Sequence, residues 1–199
     1  MLFKLRVYTR GFWRALHLRL GLANLVCGLL PDFFSGVIRA RIYRLAGIKI
    51  GAGSFIMGNL ELLGVQKDFY RNLEVGSDVL ISNHVTINLD EKVIVGDNVT
   101  LSPFVRIYTS THKVGPSSRR CLHGEIVKPV IIEKGSWVAL GATILPGVRI
   151  GYGSIVAAGA VITRDIPPNS FVAGVPGKVI KNLPCEDGYQ SVYKEFITN

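Results

Sequence analysis

Residues 132–162 read IEKGSWVALGATILPGVRIGYGSIVAAGAVI, and every sixth residue from the first is β-branched and aliphatic: Ile132, Val138, Ile144, Ile150, Val156, Ile162. Four places after each stands a small or aliphatic residue: Ser136, Ala142, Val148, Ser154, Ala160, Ile166. Gly, Pro, Asn, Asp and Lys, which favour turns, fill the positions between. An earlier copy runs Val75, Ile81, Ile87, Val93, and after a two-residue slip continues as Val95, Leu101, Ile107. An N-terminal fragment of it is Ile50, Ile56, Leu62. A period of six is too long for the alternation of a strand and does not match a helix. It fits one short strand and one turn per repeat, with one large side chain pointing inward. Three such faces close a triangular coil of about 18 residues, and β-branched side chains stack well between coils. The expected fold is an all-β solenoid. The period leaves its hand open, and general crossover chirality favours a right-handed one.

The rest of the composition fits one globular domain with an appendage. Apolar residues make up 48% of the 199 and charged residues 19%, with 22 glycines. Residues 1–50 hold nine Lys and Arg against the single acid Asp32, so the net charge of +9 resides almost wholly there. The body offers no basic surface for nucleic acid. Cys27, Cys121 and Cys185 lack metal-ligand spacing and read as free thiols in a reducing cytoplasm. The apolar run Leu20–Pro31 is shorter than the roughly 20 residues that span a bilayer. A basic leader reaching Arg19, with no convincing cleavage site after it, argues against a signal peptide. A helix from Phe3 to about Leu30 is expected, with Trp13 among its apolar residues and Arg and Lys beside them. Such a segment either packs on the main domain or between subunits, or lies on anionic lipid as a peripheral membrane contact.

Two blocks, Val95-Gly96-Asp97-Asn98-Val99 and Ile150-Gly151-Tyr152-Gly153-Ser154, resemble the repeat units of hexapeptide-repeat acyltransferases. The run Asp165-Ile166-Pro167-Pro168-Asn169, followed by Ala173-Gly174-Val175-Pro176, resembles their sugar O-acetyltransferase branch (galactoside, maltose and capsule enzymes). The resemblance covers residues 48–183. It implies a left-handed parallel β-helix there, preceded by the basic helical segment 1–47 and followed by a short tail, 184–199. It also implies a homotrimer, acetyl-CoA as co-substrate in a channel between neighbouring subunits, and no metal.

The regular repeat stops at Ile107 and resumes near Ile126, leaving a projecting loop, 108–125. Loops on a rigid scaffold tend to carry function. His112 stands at its start. A lone loop histidine is ordinarily a surface residue, but the family's base follows a strand at the start of this same loop, and His112 falls on it. A thioester is already activated, so acetyl transfer needs chiefly a base for the acceptor's proton, which histidine supplies near neutral pH. Aligned without gaps from His112, the family's catalytic-site asparagine falls on Ser82, with Asn83 next and His84 in the same coil. Either Ser82 or Asn83 could orient the base or touch the acceptor. Asp90 matches a carboxylate that contacts acceptor hydroxyls, or is a turn residue beside Glu91. His123 reads as a surface residue.

For acetyl-CoA the resemblance implies a groove along the later coils. Gly141, Ala142, Ala158, Gly159 and Ala160 let a pantetheine arm approach the backbone, or are simply tight turns. Trp137 stands near the pantetheine or in the trimer interface. Thr163, Arg164, Lys178 and Lys181 match positions at the phosphoadenosine end, where phosphates call for cationic donors. The expected acceptor is a sugar hydroxyl of a bacterial surface polysaccharide or its lipid-linked precursor, assembled at the cytoplasmic face of the membrane. A small acceptor (an antibiotic, serine, a nucleotide sugar) and a non-enzymatic trimeric scaffold are the alternatives. The γ-type carbonic anhydrases share the implied fold but pair zinc-binding histidines five apart, whereas His112 and His123 are eleven apart.

Overall fold

The computed structural model describes residues 17–32 and 34–185. The expected helical start at Phe3, with Trp13, and the tail beyond residue 185 lie outside them. Three strands form each turn of the coil. The first turn is β1 (Lys49–Ile50), β2 (Phe55–Ile56) and β3 (Glu61–Leu63); the second is β4 (Leu73–Val75), β5 (Leu80–Ile81) and β6 (Thr86–Asn88). The third is β7 (Val93–Val95), β8 (Thr100–Leu101) and β9 (Arg106–Ile107). An antiparallel hairpin follows, β10 (Ser110–Val114) with β11 (Cys121–Val127). The fourth turn is β12 (Val130–Ile132), β13 (Trp137–Val138) and β14 (Thr143–Ile144), and the fifth is β15 (Arg149–Ile150), β16 (Ile155–Val156) and β17 (Val161–Ile162). Finally β18 (Ser170–Ala173) joins the second sheet, and β19 (Lys178–Asn182) folds back antiparallel along it, covering the open edge.

From β1 to β17, with the hairpin β10–β11 left out, every third strand pairs in parallel, so the chain visits three sheets in rotation. The first sheet is β1-β4-β7-β12-β15, the second runs from β2 through β5, β8, β13 and β16 to β18 and β19, and the third is β3-β6-β9-β14-β17. The register shows why the sequence has its period. Val75, Val95, Ile132 and Ile150 pair in one column; Ile81, Leu101, Val138 and Val156 in a second; Ile87, Ile107, Ile144 and Ile162 in a third. All twelve are buried, each worth about 1.5–3 kcal/mol relative to exposure. The residues four places on are buried as well, so each repeat sends two side chains inward rather than one. Where that residue is polar its hydroxyl is satisfied: Ser136 donates to the Gly151 carbonyl and Ser154 to that of Pro167. The two-residue slip is strand β7 itself, whose ends Val93 and Val95 both face inward across a half-buried Ile94.

Two features depart from expectation. The repeat resumes at Val130 rather than near Ile126, because Ile126 and Val127 belong to the hairpin, where they pair with Thr111 and Ser110. Among the described residues a second helix follows the expected one: α1 (Leu18–Gly28) ends near Leu30 as expected, and α2 (Gly36–Ala46) comes after it. Pro31, which lacks an N–H, marks the break. From α2, the buried Arg39 guanidinium then donates to the carbonyls of Cys27, Leu30, Pro31 and Met57 at 2.6–3.3 Å and pairs with Asp32 at 2.9 Å. It thereby satisfies the carbonyls that end α1 and ties the turn to the coil. Helix α2 packs on β1 and β2, capping the first turn. Among the described residues no helix is long and apolar enough to cross a membrane.

Candidate active site

Each sheet-to-sheet corner is a turn, and the candidate residues sort by corner. His112 lies on β10, in the hairpin that replaces the corner between β9 of the third sheet and β12 of the first. It is exposed and stands opposite Glu125 in the ladder, just before a bulge at His112–Val114. The hairpin's strands pack chiefly on each other, so its aim depends on its root.

That root is a buried polar network. Asn88 Oδ1 accepts from the Thr109 amide at 3.1 Å, the Thr109 hydroxyl at 2.7 Å and Ser110 Oγ at 3.2 Å. Asp90 Oδ2 accepts from Asn88 Nδ2 at 2.8 Å and Ser110 Oγ at 2.9 Å, and Oδ1 from the Val65 amide at 3.0 Å. Thr109 Oγ1 in turn accepts from the Glu91 amide. A fully bonded network of this kind holds backbone in one arrangement. It grips Ser110, two residues before His112. Asp90 is buried and both its oxygens are used within the chain, which is the geometry of a positioning residue. Asn88, Thr109 and Ser110 were not singled out from the sequence, where they look like ordinary strand-end polar residues.

Asn83 sits at a different corner, between β5 of the second sheet and β6 of the third. Of the two neighbours, Ser82 is buried in the wall, whereas Asn83 lines a cavity of about 260 Å³ with Gly28, Asp32, Arg39, Glu61 and His84. Its Oδ1 is buried with no hydrogen-bond partner among the described residues. His84 Nδ1 lies 3.1 Å from Glu61 Oε1, and the ring stacks on Phe104 one turn above, at 5.1 Å between centroids and 10° between planes. His84 and Phe104 both have positive φ, 58° and 62°. In the next two turns Gly141 and Gly159 take the same left-handed conformation, and a Cβ on either would meet open space. The corner therefore carries two rings and then an open strip over two glycines, flanked by buried Ala142 and Ala160 and exposed Ala158.

Trp137, exposed on β13, donates from Nε1 to Ser102 Oγ at 2.9 Å, beside this strip. Lys178 and Lys181 are exposed on β19, in the same second sheet, after a turn in which Gly177 donates to the Val161 carbonyl. Thr163 and Arg164 are exposed at the other corner, after β17, on the side from which the His112 hairpin springs. His123 lies on exposed β11 in contact with Arg119. No group of three or more His, Cys, Asp or Glu among the described residues could hold a metal ion.

No protein-family model matches the chain. Galactoside O-acetyltransferases of Lactococcus lactis and Escherichia coli are 34% and 36% identical to it, over 62% and 58% of this chain and 61% and 57% of theirs. A hexapeptide-repeat acetyltransferase of Vibrio cholerae, solved with acetyl coenzyme A, superposes with a TM-score of 0.71 at 26% identity, covering 85% of this chain and 88% of that one. In sequence the chain is similar to galactoside O-acetyltransferases, and in sequence and structure to a hexapeptide-repeat acetyltransferase. The chain spans about three fifths of the length of the curated relatives that it matches. Within this chain the candidate residues fall on two edges of the prism. Asn83, His84, Gly141, Ala142 and Ala158 share one, and His112, Thr163 and Arg164 share the other. The third sheet separates them.

Burial opposes ionisation of Asp90, but the hydrogen bonds from Asn88, Val65 and Ser110 together outweigh it and lower its pKa. A lowered folded pKa stabilises above the unfolded value, about 3.9, and that contribution is lost as pH falls through the folded value. Asp90→Asn should therefore destabilise the fold at pH 7 by about 1–3 kcal/mol through its unmatched buried donors. The difference in Tm from the parent should narrow as the pH drops below about 4. An unchanged gap at acid pH would remove the ionised carboxylate from the explanation.

Proposed function

We propose that the chain is an O-acetyltransferase that moves the acetyl group of acetyl-CoA to a sugar hydroxyl of a bacterial surface polysaccharide or its precursor. The observation that carries this is the exposed His112, held on a hairpin whose root is a closed polar network, in a coil that superposes on an acetyl-CoA-bound acetyltransferase. In this reading the His112 imidazole takes the acceptor's hydroxyl proton as the oxygen attacks the thioester carbonyl. The C–S bond breaks, the acetyl ester forms, and the departing thiolate takes the proton from the His112 imidazolium, which restores the base. Asn83, from the wall of its cavity, contacts an acceptor hydroxyl, with His84 lining the same cavity.

The open space before Gly141 and Gly159 lets a pantetheine chain approach the backbone, which no side chain shields there. Trp137 and Ala158 border it, and Arg164, Thr163, Lys178 and Lys181 serve the phosphates. Because His112 and Asn83 occupy different edges, the proposal includes a homotrimer. One subunit's His112 edge meets its neighbour's Asn83 edge, and the coil is left-handed as in the family. The protein works in the cytoplasm, with residues 1–47 in peripheral contact with the membrane.

Thiol release from acetyl-CoA, followed with a thiol reagent, tests the reading. It should depend on an added saccharide acceptor and yield an acetyl ester by mass spectrometry. A protein that neither releases thiol with any saccharide nor gains Tm with CoA would overturn it.

A further inference from the structure

Helix α1 is apolar on two opposite faces. Leu20, Ala23 and Cys27 are buried against the fold. Leu18, Leu22, Leu25 and Leu29, spaced four, three and four apart, form a second stripe at 71%, 62%, 65% and 80% exposure. Residues at that spacing share one helix face. A helix apolar all round is ordinarily covered on both sides. Two shallow apolar grooves flank the stripe. One, about 510 Å³, is lined by Arg19, Leu22, Val26, Ile42 and Leu45; the other, about 570 Å³, by Leu18, Leu25, Leu62 and Phe69. Phe34, Ile38 and Leu45 add exposed apolar surface from α2 and the turn before it.

The acids nearest this surface are engaged within the chain: Glu61, beside Leu62, with His84 and Thr86, and Asp68, beside Phe69, with Tyr70. Arg19 stands in the first groove and Arg41 is exposed on α2, while Lys4, Arg6, Arg10 and Arg14 precede the described residues in the sequence. The only acid among residues 1–50, Asp32, is held by Arg39. We infer that the two-helix cap is a docking surface for an anionic lipid bilayer, with the leucine stripe entering the acyl boundary and the arginines meeting headgroup phosphates. Leucines beside cations, with no acid left unpaired, are what an anionic interface binds. Arg39, Asp32 and Gly28 of the same cap also wall the cavity that holds Asn83 and His84. Docking would set that cavity beside the bilayer, which makes the acceptor class a saccharide carried on a lipid. This last step rests on the acetyl-transfer reading; the docking does not.

Sedimentation of the full chain with vesicles tests the docking without any activity measurement. The protein should pellet with phosphatidylcholine–phosphatidylglycerol vesicles and bind pure phosphatidylcholine at least about tenfold more weakly. The combined variant Leu18→Ser, Leu22→Ser, Leu25→Ser, Leu29→Ser should lose about tenfold or more in affinity with unchanged oligomer mass and circular dichroism. Arg19→Gln with Arg41→Gln, which keeps the leucines, should weaken binding to the anionic vesicles alone. A parent protein that stays in the supernatant, or a leucine variant that binds like the parent, overturns the inference. A leucine variant with altered oligomer mass also does so, and assigns the stripe to a second copy of the chain.

Discussion

His112→Ala should lower kcat by about 10²–10⁴, the range that a positioned general base supplies, while the oligomer and its affinity for CoA stay as they are. The expectation rests on where the ring stands. It is exposed on β10, where its loss opens no core cavity, and the network that aims the hairpin lies two residues away in Ser110 and does not use it. Folding and cofactor affinity should therefore be spared. Initial rates over a range of acetyl-CoA and acceptor, with equilibrium CoA binding alongside, separate the effects. A loss in kcat with unchanged CoA affinity supports the base. A near-parental kcat would remove His112 from the chemistry, and a rise in KM alone would make it a binding residue.

The coil was legible because its period is mechanical: each column residue repeats the position of one a turn earlier, so Ile81, Leu101, Val138 and Val156 announce a single sheet. The break after Ile107 was legible for the same reason. The root of the hairpin was not, because Asn88, Asp90, Thr109 and Ser110 are about twenty residues apart and meet only when one corner stacks on the next. Nor could the sequence choose between Ser82 and Asn83. That depends on which of two adjacent side chains faces the wall and which the cavity, and the turn at His84 sets it. The second helix was hidden by composition, since Arg39 reads as one more surface cation although it is buried and bonded to four carbonyls. One consequence could have been counted in advance. Asn83 follows a strand of the second sheet and His112 a strand of the third, so a three-sided coil must place them on different edges.

That separation yields the second large effect. If the site is completed between copies, His112→Ala and Asn83→Ala each leave every site of their own oligomer defective, yet in different halves. Co-expressed in equal amounts, the two variants assemble at random in a cyclic trimer. About one site in four then joins an intact His112 edge to an intact Asn83 edge. Each variant alone supplies the baseline, and purification through different tags on the two chains ensures that mixed oligomers are assayed.

The measurement is the turnover of these mixed oligomers with acetyl-CoA and a saccharide acceptor. Recovery to about a third of the parental rate, from two nearly inactive variants, is the expected result, since each mixed cyclic trimer holds one intact site among its three. Mixed oligomers as inactive as either variant would contradict it, and would mean that His112 and Asn83 of one chain serve the same site or that one of them serves none.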